Sequence, residues 1–191
     1  GPDGAPPRQP QLAVSGGTTP KLFFEKLSEI DIPWSRVSVT LVDERQVPET
    51  SERSNARLVR THLLRGKAAA ARFVPLVDNP EAEKIPAFDV AVLGMGNDGH
   101  TASFFPDADE LESLLDPNAA HIVAGVHARS AGEPRLTLTL PPLIDAGFLA
   151  LHIEGAEKQA TLARVLEPGS RLPIRRVLDA ARQPVEIYWA P

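Results

Sequence analysis

Short apolar runs alternate with amphipathic stretches along this chain, and glycine, proline or charged residues mark most of the joins. Gln11-Leu12-Ala13-Val14 reads as a strand. In Ser15-Gly16-Gly17-Thr18-Thr19-Pro20, Thr19 suits an N-cap and Pro20 the first helical position. Phe23, Leu27 and Ile30 then trace one helix face. Residues 37–42 are β-branched and predict a strand ending in Asp43-Glu44-Arg45. Ser54-Asn55 opens a helix with Leu58, Val59 and Leu63 inward and His62 on its surface. Phe73-Val74-Pro75-Leu76 and residues 88–93 are two further strands. Residues 77–87 between them are short for a parallel crossover, which needs about a dozen residues.

Residues 108–115 predict a modest helix and residues 121–126 a strand. Residues 135–140 alternate with period two and stop at Pro141-Pro142. Residues 148–153 are almost wholly apolar, the mark of a central parallel strand. A helix follows from Gly155 through Leu162 and Leu166, and residues 185–189 close the chain as a strand. Strands alternating with helices predict a doubly wound α/β fold with a mainly parallel sheet and helices on both faces. No repeat or linker divides the 191 residues, so residues 11–191 read as one domain. Residues 1–10 are proline-rich and read as a tag remnant or a truncated stub.

A net charge of −5 argues against a nucleic-acid or anionic-membrane surface and requires placed cations for any anionic ligand. Without cysteine there is no disulfide framework or thiolate metal site, which fits a reducing cytoplasm. No apolar run is long enough to span a membrane. The five histidines never fall at the i, i+4 spacing of a helical zinc site, so no metal is expected.

Two strand ends carry candidate chemistry. Ser15-Gly16-Gly17-Thr18 between a strand and a helix start is an anion site, because free backbone N–H groups and the helix dipole point at one spot. The second is Gly94-Met95-Gly96-Asn97-Asp98-Gly99-His100-Thr101, where three glycines let the backbone approach a ligand. His100 stands there beside Asp98, before a helix expected to start at Thr101, and is placed to act as a general base. Gly94-x-Gly96-x-x-Gly99 fits a dinucleotide fingerprint only weakly, since no acidic residue closes the next strand. His121, His127 and His152 read as structural or surface residues. For Asp43-Glu44-Arg45 alone, an exposed turn with a salt bridge is the plainer reading.

Taken in order, Ser15 to Pro20, Asp43-Glu44-Arg45 with Val47-Pro48 and Ser54-Asn55, Gly94 to Pro106, Arg135-Leu136-Thr137 and Gly155-x-x-Lys158 resemble the successive motifs of the 6-phosphogluconolactonase family. The resemblance implies a Rossmann-like fold shared with sugar-phosphate isomerases. It also implies hydrolysis of 6-phospho-D-glucono-1,5-lactone in the pentose phosphate pathway, by a cytoplasmic monomer or weak dimer that needs no cofactor. His100 is then the base, Arg45 faces the substrate's oxygens, Asp43 binds hydroxyls or orients neighbours, and Asp98 orients His100 or shapes the turn. Ser15, Gly16, Gly17 and Thr18 hold the phosphate with Arg135 and Lys158 nearby, and Asn55 and Gly96 complete the site. Family members usually carry another strand and helix before the first glycine turn, and a further helix near residues 77–87. The rival readings are a glucosamine-6-phosphate deaminase/isomerase and a non-catalytic sugar-phosphate sensor. The former has Ile-Ala-Phe-Asn-Glu-Pro after its loop histidine, where this chain has Thr101-Ala102-Ser103-Phe104-Phe105-Pro106.

Overall fold

The computed structural model describes residues 8–17 and 20–191. In chain order the first elements are β1 (Gln11–Val14), α1 (Pro20–Leu27), β2 (Ser38–Leu41), β3 (Asp43–Arg45), α2 (Asn55–His62), β4 (Arg72–Val74) and β5 (Val90–Leu93). Then come α3 (Leu111–Leu114), β6 (Val123–Val126), β7 (Arg135–Leu138), α4 (Leu140–Ile144), β8 (Phe148–Glu154), α5 (Ala156–Val165), α6 (Pro173–Ala180) and β9 (Glu186–Ala190).

The main sheet has six strands in the order β4-β2-β1-β5-β8-β9, and every pairing is parallel. This is the α/β sheet expected from the apolar runs. Ala13, Val14, Val39, Leu41, Ala91, Leu93, Leu151 and Ile153 are all buried, because helices and loops cover both faces. From β1 the chain winds outward to β2 and β4, then returns past β1 to β5 and β8. The order therefore reverses between β1 and β5, and the strand ends part there into a crevice.

The link from β4 to β5 is not too short. Both strands stop earlier and start later than their apolar runs suggest, so residues 75–89 are available. At about 3.3 Å per residue they reach roughly 50 Å. Three strand spacings require roughly 15 Å. A 3-10 helix at Pro80–Lys84 takes up the slack, with Ala82 and Ile85 buried on the core.

A second sheet, antiparallel in the order β3-β7-β6, was not expected. Its join to the first is one residue: the Val42 N–H donates to Val14 O at 2.8 Å and Val42 O accepts Leu138 N–H at 2.8 Å. Asp43-Glu44-Arg45 is thereby a strand and not an exposed turn, with Asp43 and Glu44 buried.

Several local expectations change for tertiary reasons. Helix α1 stops at Leu27, Phe24 is its fully buried side chain, and Ile30 is half exposed. The expected N-cap Thr19 lies outside the described residues. Helix α3 is only four residues long, because the preceding turn is committed elsewhere: Asp109 N–H donates to His127 O, and the Glu110 carboxylate accepts His127 N–H. His62 is not a free surface group, since its Nδ1 lies 3.0 Å from Glu25 Oε1 and ties α2 to α1. The strand before Pro141-Pro142 ends at Leu138, and the pair lies in the first turn of α4, a helix that was not expected. Helix α6 went unforeseen, although Pro173 at its start and buried Ile174 and Val177 carry an ordinary helical pattern. No helix among the described residues is long and apolar enough to cross a membrane.

Candidate active site

The crevice at the carboxyl ends of β1, β5 and β8, walled on one side by β3 and β7, is a cavity of ≈ 250 Å³. Ser15, Gly16, Gly17, Asp43, Arg45, Asn55, Gly96, His100, Arg135 and Lys158 all line it. Five motifs scattered over the chain thus meet in one place. Thr18 lies outside the described residues. Asp98 stands behind the lining, against His100.

In the turn after β1, Ser15 Oγ donates to Val92 O at 2.8 Å, which ties the turn to β5. Asn55 lies so close over Gly16 that a Cβ there would sit 2.0 Å from its Oδ1. The Asn55 amide donates to Asp43 O at 3.1 Å, so this residue braces the turn as well as lining the cavity. Gly17 has φ +97 and nothing near its missing side chain. A left-handed residue with open space before it leaves its backbone accessible to a ligand.

The β3 wall is built on a buried carboxylate. Glu44, 2% exposed, accepts N–H bonds from Asn55 and Ala56 at 2.8 Å each and from Arg45 at 2.9 Å, and so caps α2. Burial pushes its pKa above the usual value and outweighs those three bonds, and the charge of Asp43 adds to the rise. Asp43 points the other way, and its Oδ2 accepts the hydroxyl of fully buried Ser103 at 2.7 Å. Arg45 and Arg135 are cross-strand partners. No ion pair holds either one among the described residues. Arg45 donates to Arg53 O, Arg135 donates to Ala131 O, and both Nε atoms are buried without a partner. Arg135 lies 5.4 Å over the Phe105 ring, and burial together with the Arg45 charge lowers its pKa. Two adjacent guanidinium groups with unmet donors facing one cavity form a seat for negative charge. The salt-bridge reading of Asp43-Glu44-Arg45 fails here.

The central loop has no helix at Thr101. Thr101 bridges to Phe104, and Ala102 adopts φ +52, which a helix cannot include. Such backbone strain persists only where the surroundings impose it. Thr101 Oγ1 bonds Gly94 O, Phe104 is fully buried, Ile174 N–H donates to Gly99 O, and Arg164 reaches Asn97 O. Helices α5 and α6 therefore clamp the loop, a support that the loop's own sequence does not reveal.

His100 Nδ1 sits 2.6 Å from Asp98 Oδ1, which also accepts the His100 backbone N–H at 3.0 Å. Burial opposes the charge on Asp98, but these two bonds and the imidazole outweigh it and hold its pKa below the usual range. Asp98 is thus an ionised acceptor, the proton of a neutral His100 sits on Nδ1, and the Nε2 lone pair is free. Phe105 packs against the ring at 4.4 Å between centroids. Gly96 makes room for it, since a Cβ there would lie 2.2 Å from His100 Cε1 and Nδ1. Asp98 thus bonds both the ring and the backbone of His100.

Lys158 is the third residue of α5, a helix whose N-cap Gly155 supplies no side-chain bond. A cation near a helix N-terminus opposes the dipole, an arrangement that an anion in the cavity would relieve. His152 also lines the cavity. Its side chain is partly exposed and packs edge-on against Phe23, a place in the cavity wall that the sequence does not announce.

Residues 6–189 match the family described as glucosamine-6-phosphate isomerases/6-phosphogluconolactonase. The chain belongs to that family. A 6-phosphogluconolactonase of Mesorhizobium japonicum is 58% identical over 193 aligned positions, covering 94% of this chain and 81% of that protein. One of Pseudomonas aeruginosa is 43% identical over 198 positions, covering 96% of this chain and 82% of its own. The crystal structure of a 6-phosphogluconolactonase from Shewanella baltica superposes with a TM-score of 0.87 at 35% identity, over 96% of this chain and 84% of that one. The α/β sheet described above is therefore the fold this chain shares with that solved structure.

Proposed function

We propose that this chain hydrolyses 6-phospho-D-glucono-1,5-lactone to 6-phospho-D-gluconate, with His100 as general base. The observation that carries the mechanism is the His100–Asp98 pair at 2.6 Å on the wall of a cavity that Arg45, Arg135 and Lys158 also line. Its close relatives bearing the lactonase name support the substrate.

A δ-lactone needs positioning, a base and charge stabilisation rather than a covalent nucleophile. His100 Nε2 takes a proton from water as its oxygen attacks the lactone carbonyl carbon. The resulting oxyanion faces Arg45, with Arg135 beside it. When the intermediate collapses, the bond from that carbon to the ring oxygen breaks, and the imidazolium returns its proton to the ring oxygen. The products are a hydroxyl and a carboxylic acid, which ionises. Asp98 holds the imidazole in the tautomer this requires and stabilises the imidazolium. Asp43, fixed by Ser103, is placed to accept a sugar hydroxyl.

The phosphate lies at the opposite end, over Gly16 and Gly17 and beside Lys158. Arg135 is assigned to the lactone end instead, because it pairs with Arg45 on β3 while Lys158 follows β8. The same reading makes the chain a cytoplasmic monomer or weak dimer acting on a small sugar phosphate.

Freshly generated 6-phosphogluconolactone, corrected for spontaneous hydrolysis, tests the proposal, and turnover well above background is expected. Turnover no faster than background, with ammonia released from glucosamine 6-phosphate, would replace it with the deaminase reading.

A further inference from the structure

His152 occupies a place that only the register of three strands reveals. Val14 pairs with Val92, and Val92 with Ala150. In-register residues of a parallel sheet point to the same face, and so do residues two further along each strand. Continuing by two puts Gly16, Gly94 and His152 in one row just beyond the strand ends. Two members of that row have no side chain. On its other side His152 pairs with Tyr188 of β9, so the imidazole is the first side chain met in the row beside the two glycines.

The ring is fixed but unsatisfied. Phe23 of α1 meets it edge-on, with centroids 5.7 Å apart at 64°, and the side chain is only 22% exposed. Neither ring nitrogen makes a hydrogen bond among the described residues. The nearest carboxylate, the half-exposed Glu154, lies 3.7 Å from Nε2, beyond bonding distance. Its nitrogens are not among the buried unpartnered atoms, so they remain open to a ligand entering the cavity. Here the ring shares a wall with Lys158, close to the uncapped start of α5. Lys158 and that helix start offer positive charge and N–H donors, against the single carboxylate of Glu154.

We propose that His152 is a phosphate ligand: its imidazole donates a hydrogen bond to a phosphoryl oxygen of the substrate beside Lys158, and so selects the phosphorylated lactone over the free sugar lactone. The identity of the substrate rests on the lactonase reading, but the binding of a phosphate does not. Phe23 sets the ring plane, Lys158 supplies charge, and the glycine turn supplies backbone donors.

His152→Phe keeps an aromatic ring against Phe23 and removes both nitrogens. We expect its KM for 6-phosphogluconolactone to rise about tenfold, the worth of one charge-assisted hydrogen bond, with kcat within about twofold. Its kcat/KM for unphosphorylated glucono-1,5-lactone should stay unchanged. His152→Gln, which retains an N–H donor, should recover part of the loss. Equal losses on both lactones, or no loss on either, would overturn the proposal. Wild-type protein provides an arm independent of the variants' folding. Titration with inorganic phosphate should shift the His152 imidazole ¹⁵N resonances in step with binding measured by calorimetry. Phosphate binding without that shift would also overturn it. An inactive wild-type enzyme whose His152 still responds to phosphate would refute the lactonase reading and leave this one standing.

Discussion

Two glycine turns line this cavity side by side, one after β1 and one after β5, and their glycines answer different needs. Gly17 is required by its backbone, with φ +97 and open space where a side chain would be. Gly96 is required by its neighbours, because the His100 ring and Asp98 Oδ1 occupy the volume a Cβ would need. The first turn leaves room for something that is not protein. The second has filled its room with the His100 ring and the Asp98 carboxylate, on a loop braced from α5 and α6. On the proposed reading the first turn binds and the second reacts, so substitutions at the two turns should separate KM from kcat.

The strongest test of that division is His100→Asn, which keeps a polar side chain in the loop and removes the base. Turnover should fall by roughly 10²–10⁴-fold. Binding of 6-phosphogluconate, measured by calorimetry, should remain near the wild-type value. In the wild type, kcat/KM should fall at acid pH as the imidazole takes up a proton and loses its lone pair. Turnover near the wild-type rate at neutral pH would move the base elsewhere, and Asp43 is the next carboxylate in the cavity.

Gly96→Ala is a finer test at the same turn. No positive φ is recorded at Gly96, so alanine acts only through its methyl group, which pushes the His100 ring away from Asp98. A displacement of about 1 Å in a reacting group can cost on the order of 10²-fold in rate. We expect a loss of that order in kcat with KM and melting temperature little changed. Unaltered kcat would mean the ring has freedom that its contacts with Asp98 and Phe105 do not suggest. At the other turn, Lys158→Ala should raise KM for the phosphorylated lactone about tenfold or more and spare kcat. A loss confined to kcat would erase the distinction between the two ends.

How much of this could be read beforehand depended on whether the signal was local. The parallel strands were legible because burial on both faces leaves continuous apolar runs, as in residues 88–93 and 148–153. The cavity's residues were legible because glycine, histidine and charge directly after such strands are unusual. β3 was not, since Asp43-Glu44-Arg45 shows no alternation and becomes a strand only by pairing with β7. The helix expected at Thr101 was lost to the Thr101–Phe104 bridge, a tertiary demand no propensity records. His152 was illegible for a similar reason. Its meaning comes from standing in line with Gly16 and Gly94, which are neighbours in space but far apart in sequence.

The smallest expected effect concerns the floor of the first turn. Glu44 caps α2, α2 presents Asn55, and Asn55 lies over Gly16, so Glu44 should govern the binding end through packing alone. In Glu44→Gln one carboxylate oxygen becomes an NH₂ group facing an N–H. Leaving such a donor unmet costs about 1–3 kcal/mol. For a chain of this size that lowers Tm by roughly 2–12 °C. KM should rise slightly, with kcat unchanged. The pH dependence gives a sign as well. Burial raises the pKa of Glu44 above its ordinary value of 4.5, so the folded state holds that proton more tightly than the unfolded chain. Its contribution to stability is therefore fully present below that value and lost as pH rises through the folded pKa. Glutamine does not titrate, so the Tm advantage of the wild type over Glu44→Gln should be largest near pH 4.5 and narrow above it. If the advantage widens with pH, the three backbone N–H bonds dominate over burial, and Glu44 is held as an anion that actively stabilises the turn.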